Sequence, residues 1–155
     1  MNLILWRHAE AEDIAPDHTD AGRRLTERGQ KQAQRMAAWL NAHLPADARI
    51  LASPAVRTQQ TAAALAATGY KIETDPRLST DADVNDYFAT SAWGENDETI
   101  VLVGHQPTLG QLAAALMCGQ ALPWSVKKGA IWWLGFEGHD VPARLVCALD
   151  AKQIT

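Results

Sequence analysis

The chain alternates short apolar runs with longer segments in which apolar residues recur every three or four positions. Short apolar runs predict buried strands, and the longer periodicity predicts amphipathic helices. Their alternation along a chain is typical of strands joined by crossover helices. The predicted strands span residues 2–6, 49–52, 71–74, 98–103, 130–136 and 143–149.

The first predicted helix begins at Thr26, a residue type that caps helix starts, and ends before Pro45. Its buried face comprises Ala33, Met36, Ala37 and Leu40. The second helix takes Ser53 as its N-cap and Pro54 as its first residue, and it runs to Gly69. Two further helices are predicted over residues 84–93 and 107–117, with irregular segments at 7–24 and 76–83 and a hairpin connection at 137–142.

These elements predict one α/β domain over residues 1–155, built as a three-layer sandwich. The sheet is expected to be mostly parallel with helices on both faces, and the last two strands are expected to form an antiparallel edge.

Composition limits the class of protein. The 155 residues are 47% hydrophobic and 21% charged, with a net charge of -4, as expected for a soluble globular protein. The mild acidity and the lack of a basic stripe argue against nucleic-acid binding. Cys118 and Cys147 lie in apolar runs without metal-ligand spacing and are predicted to be buried thiols. No signal peptide or membrane span is expected, which predicts a cytoplasmic protein.

Polar residues suited to an anion follow three of the predicted strands. Arg7 and His8 follow the first strand, Arg57 lies one turn into the helix after the second, and His105 follows the strand of residues 98–103. Each residue alone has an ordinary explanation as a solvated side chain or a histidine satisfied by backbone groups. Because the carboxyl ends of parallel strands meet at one edge of a sheet, together they predict a shared anion site. The helices that start after Ser53 and Gln106 are expected to direct free N–H groups toward the same edge.

Four sequence segments resemble the histidine phosphatase superfamily: RHA at 7–9, LTERG at 25–29, SPAVRTQQTA at 53–62 and VGHQP at 103–107. They correspond in order to the RHG, LTxxG, SPxxRxxQT and GH motifs of that superfamily. The short chain without an inserted cap region is most similar to its SixA-type protein-histidine phosphatases. The resemblance implies a phosphoglycerate mutase-like fold without a cap domain.

The resemblance also implies roles for individual residues. His8 is expected to be the nucleophile that becomes phosphorylated, and Arg7, Arg57 and His105 are expected to bind the phosphoryl oxygens. Arg23 is expected to add an outer phosphate contact, although the adjacent Arg24 is an alternative. No cofactor and no metal are expected.

Two positions depart from the family pattern. Ala9 replaces the usual glycine, which is acceptable if its φ is negative. Many relatives carry an acidic proton donor just after a segment like 75–78, where this chain has Ser79 and Thr80. Other candidates for the acid are Glu10, Glu12, Asp13 and Asp83, but a solvated acidic loop is the preferred interpretation of residues 9–13.

A leaving imidazole needs an acid less than an alkoxide does, so the missing acid favours phosphohistidine as the substrate. The expected partner is a phosphohistidine-bearing protein, either a phosphotransfer domain of a phosphorelay or a phosphocarrier protein. The alternatives are a phosphomonoesterase or mutase that acts on a small metabolite and, in another class, a non-catalytic module that binds phosphate or phosphohistidine.

Overall fold

The computed structural model describes residues 1–154, which form six strands and four α-helices. The strands are β1 (Asn2–Arg7), β2 (Arg49–Ala52), β3 (Ile72–Thr74), β4 (Thr99–Gly104), β5 (Ile131–Gly135) and β6 (Arg144–Leu149). The helices are α1 (Glu27–His43), α2 (Val56–Ala66), α3 (Val84–Ser91) and α4 (Thr108–Cys118), with short 3₁₀ helices at Pro76–Leu78 and Ala151–Gln153.

All six strands belong to one sheet, in the order β3-β2-β4-β1-β5-β6. The first four strands in this order are mutually parallel, whereas β5 is antiparallel to β1 and β6 is antiparallel to β5. The prediction of a mostly parallel sheet with an antiparallel edge is therefore confirmed.

Side chains alternate between the two faces of the sheet because successive residues of a strand point in opposite directions. On β1, Leu3 and Leu5 pack with apolar residues of α3 and α4, and Ile4 and Trp6 pack with those of α1 and α2. All four strand residues are fully buried. This arrangement confirms the three-layer sandwich with helices on both faces.

Helix α1 has the predicted cap and the predicted buried face. The Thr26 hydroxyl accepts a hydrogen bond from the Gly29 N–H, and Ala33, Met36, Ala37 and Leu40 are buried. Leu44 closes the helix, one residue before Pro45, as the restriction on residues that precede proline requires.

Helix α2 is shorter than predicted. It begins at Val56 with Ala55 as its N-cap, and it ends at Ala66 rather than Gly69. Ser53 is not the cap because its hydroxyl accepts from the Ala55 N–H outside the helix and also contacts a histidine. The prediction for Ser53 and Pro54 was wrong by two residues.

Some predictions about individual side chains were also wrong. Cys118 is exposed and Cys147 is only partly buried, because they lie at the end of α4 and on the edge strand β6. Trp132 and Trp133 lie on opposite faces of the sheet, and both are half-buried. None of the helices in residues 1–154 combines the length and the apolar character that crossing a membrane requires.

Candidate functional site

Two histidines follow neighbouring parallel strands at the carboxyl edge of the sheet. Arg7, the last residue of β1, pairs in register with Gly104, the last residue of β4. The next residues, His8 and His105, therefore lie side by side, with ring centroids 5.4 Å apart and ring planes inclined by 55°. Both side chains are buried.

The hydrogen bonds of His8 fix its tautomer. Nδ1 lies 2.8 Å from the Ala9 carbonyl oxygen, which can only accept, so Nδ1 carries the proton. Nε2 lies 3.3 Å from Nε of Arg57, which can only donate, so Nε2 presents its lone pair. Burial lowers the pKa of His8 to about 4, the nearby arginine charges add to this shift, and the bond to Ala9 opposes it. His8 is therefore neutral near pH 7.

Arg57 is held from two sides by the loop that follows β1. Besides the contact with His8, its Nη1 donates to the Asp20 carbonyl oxygen at 2.8 Å, and its Nη2 lies 3.0 Å from the Asp20 carboxylate. The guanidinium is buried, whereas the Asp20 side chain is 58% exposed. The fixed fork of Arg57 is thus aligned beside Nε2 of His8.

Arg7 supplies a second guanidinium to the same place. Its Nη1 donates to the Val126 carbonyl oxygen at 3.0 Å, and its Nε is buried without a partner among residues 1–154. Burial lowers the pKa of Arg7, and the positive charge of Arg57 lowers it further. Two like charges held this close favour the binding of an anion between them.

His105 is held differently from His8. Its Nε2 lies 2.8 Å from the Ser53 hydroxyl, and its Nδ1 is buried with no partner in the described part of the chain. Burial lowers the pKa of His105 to about 3, and the charge of Arg57 is the next cause. The Tyr87 hydroxyl accepts a hydrogen bond from the His105 backbone N–H at 3.1 Å and fixes the start of this turn.

Arg23, rather than Arg24, lies at the site. Its Nε lies 3.1 Å from the Asp20 carboxylate, and its Nη1 donates to the Glu12 carbonyl oxygen. Arg24 is exposed. By itself burial raises the pKa of Asp20, but the hydrogen bonds and charges of Arg57 and Arg23 outweigh it and hold that pKa below its usual value.

These side chains surround a cavity of about 410 Å³. Its lining residues are Arg7, His8, Ala11, Asp20, Arg23, Arg57, Thr80, His105, Gln106, Pro107, Thr108 and Lys128. The lining thus contains four Arg and Lys side chains and one carboxylate, in a chain whose net charge is -4. The cavity is a local concentration of positive charge suited to a small anion.

Only one of the two predicted helix starts lines this cavity. Gln106, Pro107 and Thr108, at the beginning of α4, are lining residues, as expected. At the start of α2, Ala55 and Val56 are not among them, because the Val56 N–H donates to the Ala21 carbonyl oxygen of the overlying loop. That helix contributes through the Arg57 side chain instead.

The carboxylates weighed as proton donors lie elsewhere. Glu10 accepts a hydrogen bond from the Thr26 hydroxyl, and Asp83 caps α3. Neither these two nor Glu12 and Asp13 line the cavity, whereas Thr80 does. The carboxylate that lines it is Asp20, which the sequence reasoning missed because nothing around it signals a ligand.

Helix α2 and Ser53 just before it connect the motifs of the site. Ser53 contacts the His105 ring and Arg57 contacts the His8 ring. Gln60 Oε1 accepts from the Leu25 N–H at 2.7 Å, and the Thr61 hydroxyl accepts from the Ala9 N–H at 3.1 Å. The spacing of the SPxxRxxQT segment therefore reflects four contacts, one from Ser53 and three from α2, to two connections: residues 8–26 and the turn after β4.

Two motif glycines are required by close packing. A Cβ at Gly29 would lie 1.9 Å from the Glu10 carbonyl oxygen, in the loop after His8. A Cβ at Gly104 would lie 2.6 Å from the Tyr87 hydroxyl. Ala9, the departure from the family pattern, is buried and is not among the residues with positive φ, so its methyl group causes no backbone strain.

Within residues 1–154, no three His, Cys, Asp or Glu side chains come together as a possible metal site. The fold and the cavity are those of an α/β protein with a cationic site at the carboxyl edge of its sheet. The sequence pattern of the histidine phosphatase superfamily (branch 1) matches residues 3–85, more than half of the chain. The chain belongs to the histidine phosphatase superfamily.

Individual relatives agree with this assignment. The phosphohistidine phosphatase SixA homologue of Haemophilus influenzae is 29% identical over an alignment of 152 residues that covers 90% of each chain. The crystal structure from Agrobacterium tumefaciens assigned as phosphohistidine phosphatase SixA superposes with a TM-score of 0.79 at 29% identity, over 96% of each chain. The protein histidine phosphatase SixA in complex with tungstate has the same fold, with a TM-score of 0.82 at 23% identity over 99% of each chain.

Proposed function

We propose that this protein is a phosphatase that forms a covalent phosphohistidine intermediate on His8. The observation that carries the proposal is the pair of contacts to the His8 ring. Ala9 fixes the proton on Nδ1, and Arg57 donates to Nε2 at 3.3 Å. A neutral imidazole with its lone pair directed into a cationic cavity is the arrangement that nucleophilic attack on phosphorus requires.

In the first step, the hydrogen bond from Arg57 to Nε2 breaks, the freed Nε2 lone pair of His8 forms a bond to phosphorus, and the bond from phosphorus to the leaving group breaks. The electron pair of the broken bond stays on the leaving group. The phosphorylated ring keeps its proton on Nδ1 and becomes positively charged, and the Ala9 carbonyl oxygen stabilises that charge. In the second step, water attacks phosphorus, the bond to Nε2 breaks, and its electron pair returns to the ring. The proton from water leaves with phosphate or solvent.

Arg7, Arg57 and His105 are proposed to bind the phosphoryl oxygens, with Arg23 farther out. Phosphoryl transfer has a loose transition state, so fixed positive charge and positioning provide most of the catalysis. The anion would also raise the pKa of His105 from its low value and favour the imidazolium form. Because arginines supply the charge that metal ions supply in many phosphoryl-transfer enzymes, the proposed reaction uses no metal. Activity should therefore survive treatment with a chelator.

The proposed substrate is phosphohistidine on a phosphorelay or phosphocarrier protein in the cytoplasm. An alkoxide leaving group needs a proton donor, but the cavity has Thr80 where many relatives have an acid. Asp20 is a poor donor because its pKa is low. A leaving imidazole departs neutral once its other ring nitrogen is protonated by solvent, so it does not need that donor. The names of the relatives in Haemophilus influenzae and Agrobacterium tumefaciens agree with this choice.

Two measurements test this function. Turnover of a ³²P-phosphohistidine phosphocarrier protein is compared with turnover of sugar phosphates, and a strong preference for the phosphoprotein is expected. Rapid acid-free quenching should then recover radiolabel on the wild-type enzyme at His8. A strong preference for sugar phosphates would favour the small-metabolite alternative, and binding without labelling or turnover would favour a phosphohistidine-binding module.

A further inference from the structure

A second cleft of about 240 Å³ lies next to the cavity of His8, and Arg7 and Lys128 line both. Its rim carries four exposed cationic side chains, Arg28, Lys127, Lys128 and Lys152, which we call the basic shelf. They come from the first turn of α1, the segment before β5 and the 3₁₀ helix after β6. The shelf thus extends the positive charge of the cavity onto the surface.

Most of the charge on the basic shelf is uncompensated. Lys127, Lys128 and Lys152 form no ion pair with any side chain of residues 1–154, and Arg28 is 4.0 Å from Glu10. The Asp150 carboxylate in the same cleft is used to cap a 3₁₀ helix, through the Lys152 N–H. A net negative protein that keeps unpaired lysines together beside its anion cavity has a surface suited to an acidic partner.

The backbone segment that carries Lys127 and Lys128 is fixed relative to His8. The Gly129 N–H donates to the Arg7 and His8 carbonyl oxygens at 3.2 and 3.0 Å, and the preceding segment is tied by the Arg7 side chain to the Val126 carbonyl oxygen. Gly129 has a φ of +75°, which glycine adopts readily. The backbone of the two lysines that precede it is therefore tied on both sides to the segment that carries His8.

The surface beyond the shelf becomes apolar. A third cleft of about 390 Å³ shares Lys127 and Lys152 with the shelf and is walled by Trp132, which is half-buried. Three adjoining clefts thus lead from the buried histidines, past the lysines, to an aromatic side chain. Aromatic side chains such as Trp132 are enriched at protein-binding surfaces, and charged groups beside them steer and orient a partner of opposite charge.

We propose that the basic shelf docks an acidic surface next to the phosphohistidine of the substrate protein. The inference rests on the proposed function, because the phosphohistidine enters the cavity while the neighbouring acidic residues contact the lysines. The positive shelf speeds encounter and orients the partner, and salt screens both effects.

The test uses two synthetic phosphohistidine peptides, one flanked by glutamates and one by glutamines, and the double variant Lys127→Gln/Lys152→Gln. Wild-type kcat/KM should be about five-fold higher for the glutamate peptide at low salt. The double variant should lose that preference through a higher KM, and roughly 1 M salt, where the Debye length is about 3 Å, should abolish it in the wild type. Turnover of phosphoramidate should change less than about two-fold, because neither lysine lines the cavity of His8.

The matched control is Lys31→Gln/Lys71→Gln, which removes the same charge at exposed positions outside the three clefts. This variant should keep the preference for the glutamate peptide. Equal rates for the two peptides in the wild type, or equal losses in the two double variants, would overturn the docking proposal and leave the phosphatase proposal intact. Hydrolysis of neither peptide would contradict the phosphatase proposal itself. Inhibition by a short single-stranded RNA, without a preference for the acidic peptide, would assign the shelf to nucleic acid and overturn the proposal.

Discussion

The turn after β1 and the turn after β4 hold the same residue type at neighbouring positions of the sheet, but they constrain it differently. The His8 ring lies between a carbonyl that can only accept and a guanidinium that can only donate. The His105 ring contacts the Ser53 hydroxyl, which can do either. His8 therefore has one neutral tautomer, whereas His105 can gain or lose a proton without losing its partner. This difference supports the proposed roles of His8 as the nucleophile and of His105 as an anion ligand whose charge responds to the anion.

The largest expected effect comes from exchanging the two histidines for asparagine. His8→Asn should lower turnover roughly 10⁴-fold or more and abolish radiolabelling, because the attacking atom is gone. His105→Asn should lower turnover roughly 10²- to 10³-fold, as for loss of one transition-state donor, and should still become labelled. Single-turnover quench assays measure both quantities.

His43→Asn is the matched control. His43 is exposed at the end of α1, where it stacks on Trp39, and it is not among the residues that line the cavity. It should label and turn over like the wild type. Radiolabelling of His8→Asn but not of His105→Asn would contradict this assignment and would make His105 the nucleophile.

The sequence predicted the four central residues because their chemistry is coupled to topology. Arg7-His8 and Gly104-His105 stand at the carboxyl ends of two predicted parallel strands, so they were expected to meet at one edge of the sheet. The motif around Arg57 was expected on the helix that follows β2, at the same edge. Neither argument depends on side-chain geometry.

Asp20 and Tyr87 could not be found in this way. Asp20 lies in an irregular loop, and hydrophobic periodicity cannot predict the course of such a loop. The place of Asp20 in the site depends on its contacts with Arg57 and Arg23. Tyr87 reads as an ordinary core residue of α3, and only its buried hydroxyl beside the His105 N–H shows that it supports the site. The start of α2 was misplaced for a related reason, since Ser53 contacts His105 instead of capping the helix.

The second prediction concerns the pH dependence of stability, which both histidines should affect in the same direction. Their folded pKa values, about 4 for His8 and about 3 for His105, lie below the ordinary value of 6.5. At a pH between the folded and the ordinary pKa, the unfolded chain binds more protons than the folded chain. The contribution of the neutral histidines to the free energy of unfolding is therefore fully present above pH 6.5 and is lost as the pH falls toward 4. For His8 the loss is up to about 3 kcal/mol, roughly a hundred-fold in the folding equilibrium.

Urea denaturation in phosphate-free buffer between pH 7 and pH 4 measures this loss. His8→Asn should flatten the pH dependence, and the exposed-site control His43→Asn should leave it unchanged. Identical pH profiles for the wild type and His8→Asn would show that His8 is not held neutral by the fold.

The third prediction tests the Ser53 contact that distinguishes His105. Ser53→Ala should lower kcat/KM about ten-fold, because the imidazolium form of His105 loses the acceptor for its Nε2 proton. Ser91→Ala is the matched control: Ser91 is also buried, but its hydroxyl donates to the Phe88 carbonyl oxygen, and it is not among the residues that line the cavity. Steady-state kinetics should show less than about a two-fold change in that variant. A similar loss of kcat/KM in both variants would show that Ser53 acts through packing and not through its contact with His105.

The smallest expected effect concerns Asp20, whose charge acts on the two histidines unequally. The Asp20 carboxylate opposes the low pKa of His105 and is not among the causes acting on His8. Asp20→Asn keeps an acceptor for Arg57 but removes the one negative charge from the cavity lining, so tungstate should bind about three-fold more tightly by calorimetry. Asp13→Asn removes the same charge from the same loop outside this cavity and should change the affinity less. Weaker tungstate binding in Asp20→Asn would contradict this prediction. It would mean that the ionic contact of 3.0 Å between Asp20 and Arg57, which aligns the guanidinium, favours the anion more than the carboxylate charge repels it.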